Sequence, residues 1–298
     1  MTRDTRHVGF ATCAALPDLD PDDRPLADAL RAARCVVTPA VWSDGNVDWD
    51  AFDLIVLRSC WDYDRYPDDF RAWLDAREAG RSPVANPVPV LRWNLDKATY
   101  LRDLSGRGVA VVPTVTVAAD ESRSLAQVLE DANWDEAVIK PSVSMSANAT
   151  WRVSRSAARE AAREADFRRA LSAAPLLVQR YQPEIETDGE WSLVYFGSQL
   201  SHAVRKTPAM GDFRVQSQFG GGKTLVEASA ELRQCAEETL AAAAAATSAT
   251  FTYARVDGVR TAEGFLLMEL EVLDPSLYLE QAPGSVERAR DAILARLT

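Results

Sequence analysis

Histidine is nearly absent: His7 and His202 are the two in 298 residues. That excludes a His-rich metal centre and leaves few candidates for a His-activated nucleophile. Cysteine is sparse as well. Cys13, Cys35, Cys60 and Cys235 lie far apart with no C-x-x-C pair, so neither a zinc site nor a disulfide scaffold is indicated, and reduced thiols are expected. No apolar run reaches the ~18 residues of a membrane span. The opening MTRDTRHVGF lacks the apolar centre of an export signal, so a cytoplasmic location is expected. A basic excess is missing too: 33 Lys and Arg stand against 44 Asp and Glu, a formal charge of −11. Nucleic acid and anionic membrane are thereby disfavoured as partners, although a local anion site stays open. Chemistry has to rest on carboxylates, lysines and arginines.

With 47% hydrophobic residues the chain can bury a large core, and its length suits two or three lobes. The first stretch, HVGFATC, CVVTPAVW and FDLIVLRS followed by PDDFRAWLDAREAG, reads as βαβ and predicts a small parallel sheet, with Pro67 opening and Gly80 closing the helix. Ligand-facing positions are then expected in the loops TC and RSCWDY, beyond the strand C-termini. The Pro-rich SPVANPVPV (82–90) reads as a connector, and Asn94 as the N-cap of a helix carrying Lys97 one turn in. Further on, strands are expected at VVPTVTV, AVIKP, TWRVSR and PLLVQRY, with helices at SLAQVLEDA and near 156–172. Two hairpins follow, EWSLVYF with LSHAVRK and TYARVDGV with GFLLMELEV, separated by a mobile-looking FGGGK and an Ala-rich helix. The fold class expected is mixed α/β and α+β.

The strand LLMELEV carries two carboxylates in an apolar run. Alternation puts Glu269 and Glu271 on one face, with Leu270 and Val272 on the other; Arg255 and Asp257 share a face of the partner strand. Three carboxylates against one guanidinium suit Mg²⁺, which takes one or two protein carboxylates and completes its shell with phosphate and water; the alternative is a salt-bridge ladder through Arg255. Lys140 ends AVIK beside the loop SVSMSANA, whose Ser144 and Ser146 could cradle phosphate or form an ordinary Ser-rich turn. Arg214 precedes Gly220–Gly222, a combination suited to a planar grip on phosphate that closes over substrate.

Taken in order, Lys97, VIKP, VQRY…DGE, GDFR…GG and ARVD…MELE resemble the ATP-grasp superfamily, in the glutathione synthetase branch, over roughly residues 90 to 280. The resemblance implies a Rossmann-like N-terminal domain (1–88), a central lid lobe (89–181) and a C-terminal lobe with the metal site (182–298), the last two gripping ATP. It casts Lys97 and Lys140 as phosphate lysines, Gln179 to Gln182 with Tyr181 as the adenine hinge, and Glu190 as the ribose ligand. Arg214, with Lys140 and Arg255, becomes the charge-stabilising catalytic set, and Asp257, Glu269 and Glu271 the Mg²⁺ ligands. Two departures stand out: Glu271 replaces the usual Asn of E-x-N, and the phosphate loop has no glycine.

The activity implied is activation of a carboxylate by ATP as an acyl phosphate, followed by attack of nitrogen, with charge neutralisation and positioning supplying the catalysis. LRSCWDYDRYPDDFRAWL, WNLDK and LMELEVLDPSLYL are similar to members that close an isoxazolidinone ring within one molecule, O-ureido-D-serine. Arg58 and Asp62 are candidates for gripping the ends of that small amino-acid-like substrate, with Thr12 and Cys13 on the same cleft; a surface ion pair and a buried thiol are the alternative. Arg205 and Lys206 could contact its carboxylate instead. A homo-oligomer is expected. The rival functions are an intermolecular carboxylate–amine ligase and an ATP-binding regulator without catalysis.

Overall fold

The computed structural model describes residues 5–297. Its first unit runs β1 (Arg6–Thr12), α1 (Arg24–Ala32), β2 (Cys35–Val41), β3 (Leu54–Leu57) and α2 (Pro67–Ala79), with a parallel sheet in the order β2-β1-β3. Alternate residues of one strand feed opposite cores. Leu54 and Val56 join Val8, Phe10 and α1's Leu26 and Leu30, whereas Ile55 and Leu57 join α2's Phe70, Trp73 and Leu74. A strand covered on both faces has to be apolar at every position, which is why LIVL is buried throughout.

The Pro-rich connector is helical in part. Pro87 precedes α3 (Val88–Leu95), and Pro89 sits in its first turn, where a missing N–H costs nothing. Asn94 is not an N-cap: it lies in the last turn of α3, and the side chain of Asp96 caps α4 (Lys97–Ser105) by accepting from Ala98 N at 3.0 Å. Lys97 is therefore the first residue of its helix.

The central unit comprises β4 (Thr114–Val117), α5 (Leu125–Asp131), β5 (Glu136–Pro141), β6 (Trp151–Ser154), α6 (Ala161–Ala173) and β7 (Leu176–Arg180), forming an antiparallel sheet ordered β4-β7-β5-β6. Ser124 and Gln127 close a capping box on α5. The helix expected from 156 starts at Ala161, after a 3₁₀ turn at Ala157–Arg159.

The last unit contains α7 (Glu184–Thr187), β8 (Glu190–Phe196), β9 (Gln199–Thr207), β10 (Gly222–Val226), α8 (Ala230–Thr247), β11 (Tyr253–Thr261), β12 (Gly264–Glu271) and α9 (Ser285–Leu294). Its antiparallel sheet is ordered β10-β9-β8-β11-β12. Period-two alternation gives one apolar face, where Leu193, Ala203, Val256 and Leu270 pack on α8 and on Leu101 and Leu104 of α4. The other face is apolar at one end, where Val194, Phe196, Val204 and Tyr253 pack toward the N-terminal sheet, and charged at the other.

Two segments join cores other than those expected from the domain boundaries. Helices α3 and α4 (88–105), expected in the central lobe, contribute Val90, Tyr100, Leu101 and Leu104 to the core of the five-stranded sheet. Helix α9 and the preceding turn place Leu277, Leu279, Ala289 and Ile293 in the core of the N-terminal sheet. Each segment follows its own apolar stripe rather than its place in the sequence. Among the described residues no helix is long and apolar enough to cross a membrane.

Candidate active site

The antiparallel pairing of β11 and β12 sets Arg255 opposite Glu271 and Asp257 opposite Glu269. One residue later the register shifts at Gly258, where a Cβ would lie 2.4 Å from the Leu266 carbonyl oxygen; only glycine fits that bulge. The four charged side chains share a face, as alternation requires. Arg255 binds both acids, with Nη2 2.8 Å from Asp257 Oδ2 and 2.5 Å from Glu271 Oε1, so the ladder expected as an alternative exists.

Sequence reading counted three carboxylates against one guanidinium, and the structure corrects that balance. Lys140 Nζ, from the central sheet, lies 2.6 Å from Glu269 Oε1. Lys206 pairs with Glu190 and stands 3.8 Å from Asp257 Oδ1, which also accepts from Ser192 Oγ. Burial works against ionisation of Glu269, but the ammoniums of Lys140 and Lys97 outweigh it and hold the carboxyl near 2. Burial likewise opposes ionisation of Asp257, and Arg255 and Lys206 override it to bring its pKa below the usual range. Glu271 differs. Burial raises it to about 7 against the pull of Arg255, and the charges of Asp257 and Glu269 add to the rise.

These groups line a cavity of about 550 Å³ between the central and five-stranded sheets. Lys97 and Lys140 form its cationic wall; the Lys97 ammonium donates to the Ser144 carbonyl and its backbone N–H to that of Ser142. The loop that holds this wall lacks glycine yet keeps glycine-like geometry, since Ser146, Ala147 and Ala149 have φ of 51°, 55° and 48°. Ser144 and Ser146 both face the cavity. Arg214 lines it too, gripped by Asp212 (Nη2–Oδ2 2.8 Å) and stacked 3.6 Å over the Phe219 ring.

The segment expected to be mobile is built in. Gly220 adopts φ 81°, a Cβ on Gly221 would lie 2.1 Å from the Val215 carbonyl oxygen, and Gly222 opens β10 opposite Thr207. Gln218 Nε2 also donates to the Ser146 carbonyl at 3.0 Å, bridging this segment to the Ser-rich loop.

At the other end of the cavity Gln179, Arg180, Tyr181 and Gln182 follow one another along its wall. The Nε2 groups of Gln179 and Gln182 donate internally, to Thr114 Oγ1 at 3.0 Å and to the Arg180 carbonyl at 3.2 Å. Tyr181 donates to Glu186 beneath the Arg152 guanidinium, 3.6 Å from its ring. Glu190 lies on the cavity wall beside Gly189, whose φ of 87° and whose contact with the Lys206 carbonyl, 2.5 Å from a would-be Cβ, exclude any side chain.

The structure divides the expected substrate-side residues. Arg58 does not reach the cavity: 1% exposed, it donates to Asp23 and the Pro275 carbonyl and lies 3.9 Å from Asp274, locking the N-terminal sheet to the segment after β12. Asp62 accepts from Trp42 Nε1 at 2.7 Å. Thr12 donates to the Leu16 carbonyl, and Cys13 is 1% exposed in the core. Of Arg205 and Lys206, adjacent in β9, only one can face the cleft; Arg205 stands opposite Trp191 on the far face, and Lys206 faces in. The groups that do line this end include Asp20, Asp22, Trp61, Lys223, Asp274 and Tyr278. The acidic run DLDPDD (18–23) was the available signal, a few residues beyond the strand end at which the expectation stopped.

The charged sheet face, the two lysines opposite it and the intervening cleft are the geometry of a nucleotide clamp. The chain matches the family model for the ATP-grasp domain of prokaryotic glutathione synthetase over residues 107–275. It belongs to the ATP-grasp ligases. Its N-terminal part, residues 8–86, matches the N-terminal domain of D-cycloserine synthetase DcsG. Over 298 aligned residues it is 31% identical to the cycloserine biosynthesis protein DcsG of Streptomyces lavendulae, spanning 97% of this chain and 98% of that one. The crystal structure of D-cycloserine synthetase DcsG superposes with a TM-score of 0.88 at 28% identity, over 98% of this chain and 100% of that one. D-alanine–D-alanine ligase from Bacillus anthracis shares the fold, with a TM-score of 0.69, 13% identity and coverage of 98% and 96%. An ATP-grasp ligase forms carbon–nitrogen bonds and uses ATP, and both statements hold for this chain as a member.

The donor set fits a divalent ion. Glu269 and Glu271, two residues apart on one strand, have backbones ~7 Å apart, and burial, with the charges of Asp257 and Glu269, raises Glu271 although Arg255 pairs with it. Among the described residues no three acidic, His or Cys side chains form a cage by themselves. A small hard cation bound here would draw its remaining ligands from phosphate and water, as Mg²⁺ does.

Proposed function

We propose that this ligase closes O-ureido-D-serine to D-cycloserine at the expense of ATP. The observation that carries the reading is the similarity to DcsG through the N-terminal domain, because that domain supplies Asp20, Asp22 and Trp61 to the substrate end of the cleft. A carboxylate oxygen takes the γ-phosphoryl group and ADP leaves. The nitrogen of the aminooxy group then attacks the carboxyl carbon, phosphate leaves, and the ureido carbonyl departs as carbon dioxide and ammonia. One water hydrolyses the bond between that nitrogen and the ureido carbonyl, so O-ureido-D-serine, ATP and water give D-cycloserine, carbon dioxide, ammonia, ADP and phosphate.

The chain's own part is electrostatic. Lys97 and Lys140 neutralise phosphate oxygens. Arg214 exchanges its Asp212 partner for the transferring group, and Arg255 offsets charge developing at the carboxyl. Residues 179–182 present backbone groups to the adenine edge, and Glu190 accepts from ribose hydroxyls. Asp257, Glu269 and Glu271 would hold Mg²⁺, which supplies charge neutralisation when bound. No His or Cys is needed.

The test is ADP release with single compounds, followed by mass spectrometry of the product. Turnover with O-ureido-D-serine alone, yielding cycloserine, supports ring closure. A strict requirement for two organic substrates would identify a joining ligase instead, and nucleotide binding without ADP release from any acid would favour the regulator.

A further inference from the structure

Strand pairing sets Lys223 of β10 directly opposite Lys206 of β9. Paired residues of adjacent strands point to the same face, so two ammoniums stand side by side on the charged face, an arrangement that is unfavourable unless each is neutralised. Lys206 is neutralised by Glu190 and Asp257. For Lys223 the structure shows no ion pair among the described residues; its ammonium rests 5.0 Å from the centroid of the Tyr278 ring, at the mouth of the cleft. Tyr278 is held in place for this. Its backbone is left-handed at φ 51°, its carbonyl accepts from Gln281 N at 3.1 Å, and the Arg255 guanidinium lies 5.3 Å from the same ring.

A complementary defect lies beyond the same turn. Asp22, in the loop after β1, uses Oδ1 to accept from Glu280 N at 3.1 Å and has no ion pair among the described residues. Its neighbour Asp20 accepts from Asp22 N at 3.0 Å and adds negative charge. Lys223 stays exposed to solvent; partial burial lowers its ammonium against the pull of Asp22, and burial raises the Asp22 carboxyl. Both line one cavity, yet they do not come within ion-pair distance of each other.

We propose that Lys223 and Asp22 form a zwitterion clamp that selects an α-amino acid as the carboxyl substrate: Asp22 accepts from the α-ammonium, and Lys223 donates to one carboxylate oxygen. The other carboxylate oxygen stays free to meet the γ-phosphoryl group. The inference rests on the ligase reading above and adds the groups that recognise its substrate. Tyr278, between Lys223 and Arg255, holds the Lys223 ammonium at the cleft mouth.

The experiment compares wild type with Lys223→Met, Lys223→Arg and Asp22→Asn in steady-state ADP release, varying O-ureido-D-serine and ATP separately, with thermal melts to confirm folding. Losing a charge-assisted contact at either end should raise the KM for the amino acid by about tenfold or more, leaving that for ATP within about twofold. Lys223→Arg should recover most of the loss. Wild type should reject the des-amino analogue, and Asp22→Asn should discriminate against it less. The clamp is overturned if folded Lys223→Met and Asp22→Asn keep the wild-type KM, or if wild type uses the des-amino acid equally well. If wild type is inert with O-ureido-D-serine but turns over another α-amino acid, ring closure fails, and the same comparisons made with that amino acid decide the clamp.

Discussion

Lys140 and Glu269 meet at 2.6 Å, although 129 residues separate them and each belongs to a different sheet. The pair ties the cationic wall of the cleft to the carboxylate face, at the place where phosphate and a divalent ion would come between them. Glu269→Gln keeps the shape and an acceptor for Lys140 but removes the negative charge. ADP release should fall by about 10²-fold or more, as when a charge-stabilising group is lost from a transition state, and cooperative unfolding should be retained. Near-normal turnover in a folded variant would take Glu269 out of the ion's shell.

A second prediction concerns Asn94, whose side chain brackets the end of β12. Its Nδ2 donates to the Leu270 carbonyl at 2.7 Å, and its Oδ1 accepts from Val272 N and Leu273 N at 3.0 and 3.1 Å. Alanine there strands three buried backbone groups beside Glu269 and Glu271. The expected cost is about 3 kcal/mol or more, read by denaturant unfolding, together with a lower kcat because the carboxylates lose their support. A loss of stability below ~1 kcal/mol would mean that water replaces the bracket.

How much of this was legible follows from the range of each interaction. Arg255, Asp257, Glu269 and Glu271 could be placed on one face because a hairpin with a two-residue period determines its own pairing. The neutralising role of Lys140 could not, since it depends on how two sheets distant in sequence face each other, and that of Lys206 toward Asp257 depends on the strand order across one sheet. Arg58 looked like a ligand-facing residue after a strand, but the C-terminal segment returns over it and supplies the Pro275 carbonyl and Asp274. Asn94 resembled a cap because its partners, at the end of β12 and just beyond it, are 176 to 179 residues away. The paired cations Lys206 and Lys223 are hidden for another reason: FGGGK reads as a mobile glycine segment rather than as the start of β10.

The glycine-free phosphate loop yields a third prediction. Ala147 at φ 55° and Ala149 at φ 48° pay a left-handed strain of about 1 kcal/mol each. Glycine relieves that strain and loosens the unfolded chain by a similar amount, so Ala147→Gly should leave stability within about 1 kcal/mol of wild type and preserve ATP binding. Valine cannot adopt this backbone easily, and Ala147→Val should both destabilise the fold and weaken ATP binding. Equal ATP affinity in the two variants would show that the left-handed turn is not needed to cradle phosphate.

The last prediction is a pH dependence. His202 is 7% exposed and lies between Ser201 Oγ, 2.8 Å from Nδ1, and the Leu277 carbonyl, 2.9 Å from Nε2, immediately before Tyr278. Burial lowers its pKa from 6.5 to about 4, against the pull of the Leu277 carbonyl. Between those values the unfolded chain binds a proton that the folded one refuses, so stability rises with pH across the window and is lost as pH falls from about 6.5 to about 4. The full swing is roughly 3 kcal/mol. Unfolding free energies measured by urea titration at closely spaced pH values should show this slope in wild type, and it should be missing from His202→Gln.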